Sequence, residues 1–431
     1  MQLKPTLLSL VVAAAFSLCP AHAQEWTRFR GPNGTGVVSA PGIPVQISEA
    51  DFVWRVELPG EGMSSPVIWG GRLFVTSAEP EKGKRHLICL DSASGRTLWT
   101  RAFEFPKHGK HQFNSFASST AAVDAEAVYS VWTTPQNAVV VAHDHNGKEL
   151  WKRDLGAFNC NHAGGGSPIV VGNVVIVAKD TEQRLAPEGV KPESFLIALD
   201  RRTGAVRWKK ERTTSEQATS FATPLVLRPE GGAPEVVFSS QAHGLTSVNP
   251  ETGAVNWELS DLFKMRPVGS PILANGLILQ TSGQGDGSRR AVAVRPGNKA
   301  RSVEPKFIYE VTRDSAYVPT PIAYNGRVYF YGDGGIITST KAESGEVVWK
   351  ERAPGTNAKF FGSPVCVNGK LYAMTASGAA SELVVIDTAD EFRVLGRTPL
   401  GEASHSTPSV ANGMMFLRTM SKLIAVGRKA Q

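Results

Sequence analysis

Cysteine is scarce in this chain: four in 431 residues, with no two adjacent and no CxxC pair. That excludes a disulfide framework and a zinc-ribbon signature, and Cys89, Cys160 and Cys366 read as small buried hydrophobes. Long apolar runs are also missing. The best candidate, residues 7–18, falls short of the roughly 20 residues a membrane-spanning helix needs. Charge of one sign is not concentrated either, with 46 basic against 39 acidic residues. The densest basic stretches, 82–86 and 207–212, are interrupted by acidic or apolar residues, so the stripe a nucleic-acid partner requires is absent. No P-loop, HExxH or nucleophile elbow occurs. The GPNGTG stretch at 31–36 has no strand before it and no helix after it, and reads as a terminal turn rather than a phosphate loop.

What is present begins with a leader. Lys4, the apolar run and Ala21-His22-Ala23 form the pattern of a secretory signal cut before Gln24. Leu18 stands where a lipid-attachment signal at Cys19 wants a small residue, and Pro20 follows. The expected product is a periplasmic or secreted chain, soluble and not membrane-spanning, with 45 basic and 39 acidic residues. Its 408 residues give 51 to each of eight repeats.

The repeats announce themselves by a small residue and a proline opening a short apolar run. The openers are Ser65-Pro66, Thr120-Ala121, Ser167-Pro168, Thr223-Pro224, Ser270-Pro271, Thr320-Pro321, Ser363-Pro364 and Thr407-Pro408, spaced 43 to 56 residues apart. Such a period, filled with strand-like runs, points to radial repetition. Each opener leads into a strand, an Asn-Gly or Gly-Asn turn and a second strand, as in SPIVVGNVVIVAKD, TPIAYNGRVYFYGD and SPVCVNGKLYAMTA. The small residues Gly166, Gly269, Gly362 and Ala222 before the openers suit strands converging on an axis.

The second half of each repeat is clearest in ALDRRTGAVRW, with Asp200, Gly204 and Trp208. The same slots hold Asp91, Gly95 and Trp99; Asp144, Gly147 and Trp151; Asn249, Gly253 and Trp257; and Lys341, Gly345 and Trp349. The seventh copy keeps Asp387 but has Glu391 and Leu395. The acidic or amide residue suits a strand end that bonds the turn backbone, and glycine supplies positive φ. The indole then covers the neighbouring repeat. Five equivalent tryptophans cannot all line one pocket, so they are read as structural. The eighth repeat ends without its Trp strand, whereas FVWRVE at 52–57 precedes the first opener with Trp54 in that role. The expected fold is all-β: an eight-bladed propeller of four-stranded antiparallel blades spanning 52–427, closed by the N-terminal strand. A signal (1–23), an extended segment (24–51) and a short tail (428–431) flank it, and the ring is expected to be monomeric.

The A-x-D-x-x-T-G-x-x-x-W copies resemble the repeat of pyrroloquinoline-quinone (PQQ) type β-propellers over essentially all of 52–427. The opening WTRFRGPNGTG looks like the start of exported bacterial PQQ-binding-like repeat proteins. The resemblance implies either a quinoprotein dehydrogenase holding PQQ and calcium, or a BamB-type scaffold without turnover. The dehydrogenase branch fits poorly, because its adjacent cysteine pair is absent and 51 residues per blade leave short loops. The turns at Asp286 and Asp333 read as hairpin tips rather than calcium loops. We therefore expect no cofactor and a partner that is an envelope protein or glycan, with PQQ and calcium belonging only to the alternative.

Candidate ligand residues lie in the loops before the openers, which should emerge together around an axial funnel. They are His108, His111 and Asn114 before blade 2, Asn159, Asn161 and His162 before blade 3, and His405 before blade 8. Gln217, Arg266, Tyr317 and Lys359 precede blades 4 to 7. Four histidines along one arc would suit a transition metal or an anion, and Arg266 and Lys359 would make the mouth positive. The commoner case for such residues is ordinary polar loop chemistry.

Overall fold

The computed structural model describes residues 25–427 except 187, 190, 215–219, 286 and 356–357. The expected signal and tail, Gln217 and Asp286 therefore lie outside the described residues. Eight antiparallel sheets are arranged in sequence order, each beginning with a short strand that follows an opener. Blade 1 is typical, with strands Val67–Trp69, Arg72–Glu79, Lys84–Asp91 and Thr97–Glu104. The second and third strands are almost wholly buried, because each is covered on both faces by neighbouring blades. Blade 8 supplies only Ser409–Ala411, Met414–Arg418 and Lys422–Gly427, and its fourth strand is Phe52–Glu57, paired antiparallel from Phe52↔Val426 to Glu57↔Lys422. The ring is closed by the strand the sequence pointed to.

Blades are joined through the repeat motif. Asp200 accepts from the Arg202 and Thr203 amides at 3.1 and 3.0 Å, and Asn249 does the same for Glu251 and Thr252. The tryptophan of the preceding blade lies beneath this turn. A Cβ on Gly204 would sit 2.6 Å from the Trp151 ring, while Trp151 donates its N–H to the Arg201 carbonyl at 3.0 Å. The same arrangement links Trp54 to Gly95, Trp99 to Gly147 and Trp208 to Gly253. Glycine is thus required twice over, by φ +68 at Gly204 and by the indole. In blade 5, which the motif search passed over, Gly297 meets Trp257 and Tyr309 meets Gly345. Trp349 reaches the Ala389 carbonyl at 3.4 Å, where no glycine stands.

Gly269 and Gly362 are crowded at the axis, their added Cβ atoms falling 2.6 Å from Thr281 and 2.0 Å from the Ser406 carbonyl, whereas Gly166 faces open space. Cys89 and Cys366 are buried, and burial pushes both thiols up to about 12.

Gly204→Val should destabilise the fold by about 3 kcal/mol, combining left-handed strain with a clash. Gly276 has φ +76 and nothing within 4 Å of an added Cβ, so Gly276→Val isolates the strain alone. Urea unfolding should show the larger loss at position 204; equal losses would remove the indole contact from the account.

Candidate functional site: the axial cup and its plug

Each blade turns its innermost strand edge toward the axis, where only blade 7 finds a further strand to pair. Opener hydroxyls answer for seven of the eight opener N–H groups, the Ser167 amide being the exception. Ser65 N–H donates to Thr120 Oγ1 (2.9 Å), Thr120 to Ser167 (3.0 Å), Thr223 to Ser270 (2.9 Å) and Ser270 to Thr320 (2.9 Å). Thr320 to Ser363, Ser363 to Thr407 and Thr407 to Ser65 continue the circle at 3.0, 3.0 and 3.2 Å. This girdle of Ser and Thr gives the opener a purpose beyond small size.

Carbonyls are answered by residues of the amino-terminal extended segment, 24–51. Trp26 exchanges two backbone bonds with Ile68 of blade 1, and the Thr27 carbonyl accepts from Val123 of blade 2. The chain then crosses the axis. Arg28 donates to the Pro224 carbonyl of blade 4 at 2.6 Å, and Arg30 donates to Thr320 and Pro321 of blade 6 at 2.9 and 2.8 Å. Residues 31–36 form the reversal, with Gly36 N–H bonded to the Arg30 carbonyl and its α-carbon packed against the Arg30 guanidinium. Val37–Val38 then add a fifth, parallel strand to blade 7 against Cys366 and Val367. The terminal turn of the sequence reading is therefore the bend of an axial plug. Burial pushes Arg28 down to about 10 and Arg30 to about 9, so both stay charged at neutral pH. Neither has a carboxylate partner among the described residues; carbonyl dipoles take that place.

Above the plug lies a cup of about 560 Å³, lined by all eight opener hydroxyl residues and by Phe29 of the plug. Of the ten expected funnel residues among those described, six line it: His111, Asn114, His162, Arg266, Tyr317 and His405. Four do not, and of these Asn159 is buried outside the lining. His108 packs against Phe105 and Phe116, with its Nε2 3.3 Å from Arg85. Asn161 is exposed at a loop tip, and Lys359 points to solvent between buried Ala358 and Phe360. The histidine arc accordingly breaks up. The His111 and His162 rings meet at 4.5 Å, tilted by 34°, and His162 Nδ1 lies 2.7 Å from Arg266 Nη1. His405 belongs to a different wall, stacked on Phe361 at 4.6 Å, which in turn stacks on Phe113 at 5.3 Å. Sequence reasoning missed Phe29, Phe113, Phe221 and Phe361; for the last three their places in the same loops were the available signal, whereas Phe29 comes from the plug. Among the described residues, no group of three His, Cys, Asp or Glu side chains is placed to hold a metal ion.

A PQQ repeat family model, described as outer membrane protein assembly factor BamB, matches residues 43–104, 83–317 and 303–391. The chain belongs to this family of PQQ-like β-propellers. The chain is similar to outer membrane protein assembly factor BamB of Yersinia pestis, 23% identical over 241 residues. That stretch is 53% of this chain and 56% of the relative, a little over half of its length. Among solved structures it resembles a europium-containing methanol dehydrogenase (13% identity, 92% of this chain and 90% of that one, TM-score 0.66). It also resembles BamB from Moraxella catarrhalis (14%, 88% and 98%, TM-score 0.59). These likenesses show the fold.

Calcium with PQQ does not fit the cup. Calcium takes about six to eight oxygen ligands, several of them carboxylates. The described lining offers one carboxylate, Asp333, which is engaged by Arg289 at 2.9 Å.

Two outcomes are expected. Arg30→Met leaves carbonyls of blade 6 unpaired and should cost about 2 kcal/mol, with Arg30→Lys recovering only part because one ammonium cannot replace the fork; unchanged urea midpoints would contradict the plug. Burial also pushes His162 and His405 from 6.5 to about 4. As pH falls from 6.5 toward 4 the unfolded chain takes up these protons first, so stability should drop over that window. His405→Phe, which keeps the ring stack, should make the fall in Tm shallower; an identical slope would contradict this assignment.

Proposed function

We propose that this propeller is a non-catalytic binding or scaffold protein of the bacterial cell envelope, exported with loss of residues 1–23, that engages an envelope protein or glycan. The observation that carries the reading is the axis itself. The chain's own amino terminus occupies it, and what remains is a one-cation aromatic cup without the ligand set for calcium. The family match to BamB supports a role in assembly rather than turnover. No helix among the described residues is long and apolar enough to cross a membrane.

The test has two parts. Protein mixed with PQQ and Ca²⁺, then gel-filtered, should carry no quinone absorbance and oxidise no alcohol or sugar; stoichiometric quinone with turnover would overturn the reading. Intact mass of protein from the periplasmic fraction should begin at Gln24, and full-length protein confined to the cytoplasm would equally overturn it.

A further inference from the structure

The cup has an asymmetry that a neutral scaffold surface does not need. On one side, Phe113, Phe361 and His405 form a continuous wall of stacked rings, with interplanar angles of 29° and 26°. The outermost ring, Phe113, is 51% exposed, so this end of the wall is open to a ligand. On the other side stands Arg266. It makes no ion pair among the described residues, and its buried Nε has no hydrogen-bond partner. The contacts Phe113–His111 (5.5 Å), His111–His162 (4.5 Å) and His162–Arg266 (2.7 Å) carry continuously from the ring wall to the guanidinium.

Several other polar groups of the cup are already engaged. Seven of the eight opener hydroxyls accept from backbone amides around the girdle, and Asp333 is held by Arg289. Lys359, which would have supplied a second cation, points away. One guanidinium with a free edge selects one carboxylate, because a planar fork matches carboxylate geometry. A stacked wall selects a flat ring, offset-packed against Phe113 and Phe361. At about 560 Å³ the cup falls within the roughly 300–1,000 Å³ typical of small-ligand sites.

We infer that the cup binds an aromatic group bearing a single carboxylate, the ring against Phe113 and Phe361 and the carboxylate on Arg266. Two sources share that chemistry: a free aromatic acid, and the last residue of a polypeptide ending in Phe, Tyr or Trp. The inference rests on the binding reading above and names what is bound.

Calorimetric titration of the full chain tests it with four probes: N-acetylphenylalanine, its amide, and a hexapeptide ending in phenylalanine as free acid and as amide. Each acid should bind at least about tenfold more tightly than its amide. Arg266→Gln should erase that preference, and Phe361→Leu should weaken acid and amide alike. A peptide acid tighter than the amino acid derivative identifies a chain terminus as the source; equal affinities identify a free acid. Absence of saturable binding at millimolar probe, or acids and amides binding equally to the unaltered protein, overturns the inference. The latter result leaves the scaffold reading standing, whereas stoichiometric quinone capture would sink that reading instead.

Discussion

Everything in this ring depends on how its inner edges are satisfied. A propeller hides most of its sheet surface between blades, but each blade still brings one strand edge to the axis with N–H and C=O groups unpaired. Here the opener amide is met by the hydroxyl of the next opener in seven of the eight blades, and two carbonyl-rich positions are met by Arg28 and Arg30. Buried arginines without carboxylate partners are costly, and the cost is offset by short, charge-assisted bonds to carbonyls of distant blades. Arg418 does similar work between blades 8 and 1, donating to Ser64 Oγ at 2.6 Å and to the Thr76 carbonyl.

The periphery is organised by a different interaction. Indoles on the outer strands lie under the turn glycines of the next blade, each joining apolar burial to one hydrogen bond. Because Trp54 reaches Gly95, this outer belt passes through the closure between the amino-terminal strand and blade 1. The amino-terminal 33 described residues thus serve two circles at once, the plug at the centre and Phe52–Glu57 at the rim. Removal of either piece leaves unpaired backbone.

The blades were legible because their signals are local. An opener, a hairpin turn and an Asp–Gly–Trp spacing fall within one repeat, and even the closing strand carried its Trp. The plug was not legible: WTRFRGPNGTG shows no strand alternation, and Arg28 and Arg30 find partners 196 to 291 residues away. The funnel was half legible. Loop position brought Arg266, Tyr317 and His405 to the cup, but side-chain direction separated Lys359 from them, and the buried neighbours on either side of Lys359 set that direction. Blade 5 escaped the motif search because Tyr309 stands for Trp and Gly297 lies in a turn of different length. At the site, the search followed histidines and cations, whereas the phenylalanines give the cup its shape.

A ring plugged by residues 26–38 and opening into a ring-walled cup is the structure on which the proposed binding role rests. That view stands or falls on the plug being native structure. Hydrogen exchange resolved to residues 26–38 measures this directly. The Trp26 and Gly36 amides, bonded to Ile68 and Arg30, should exchange as slowly as the buried second strands of the blades. Exchange at the rate of free peptide across that stretch would contradict a plugged axis and the cup built upon it.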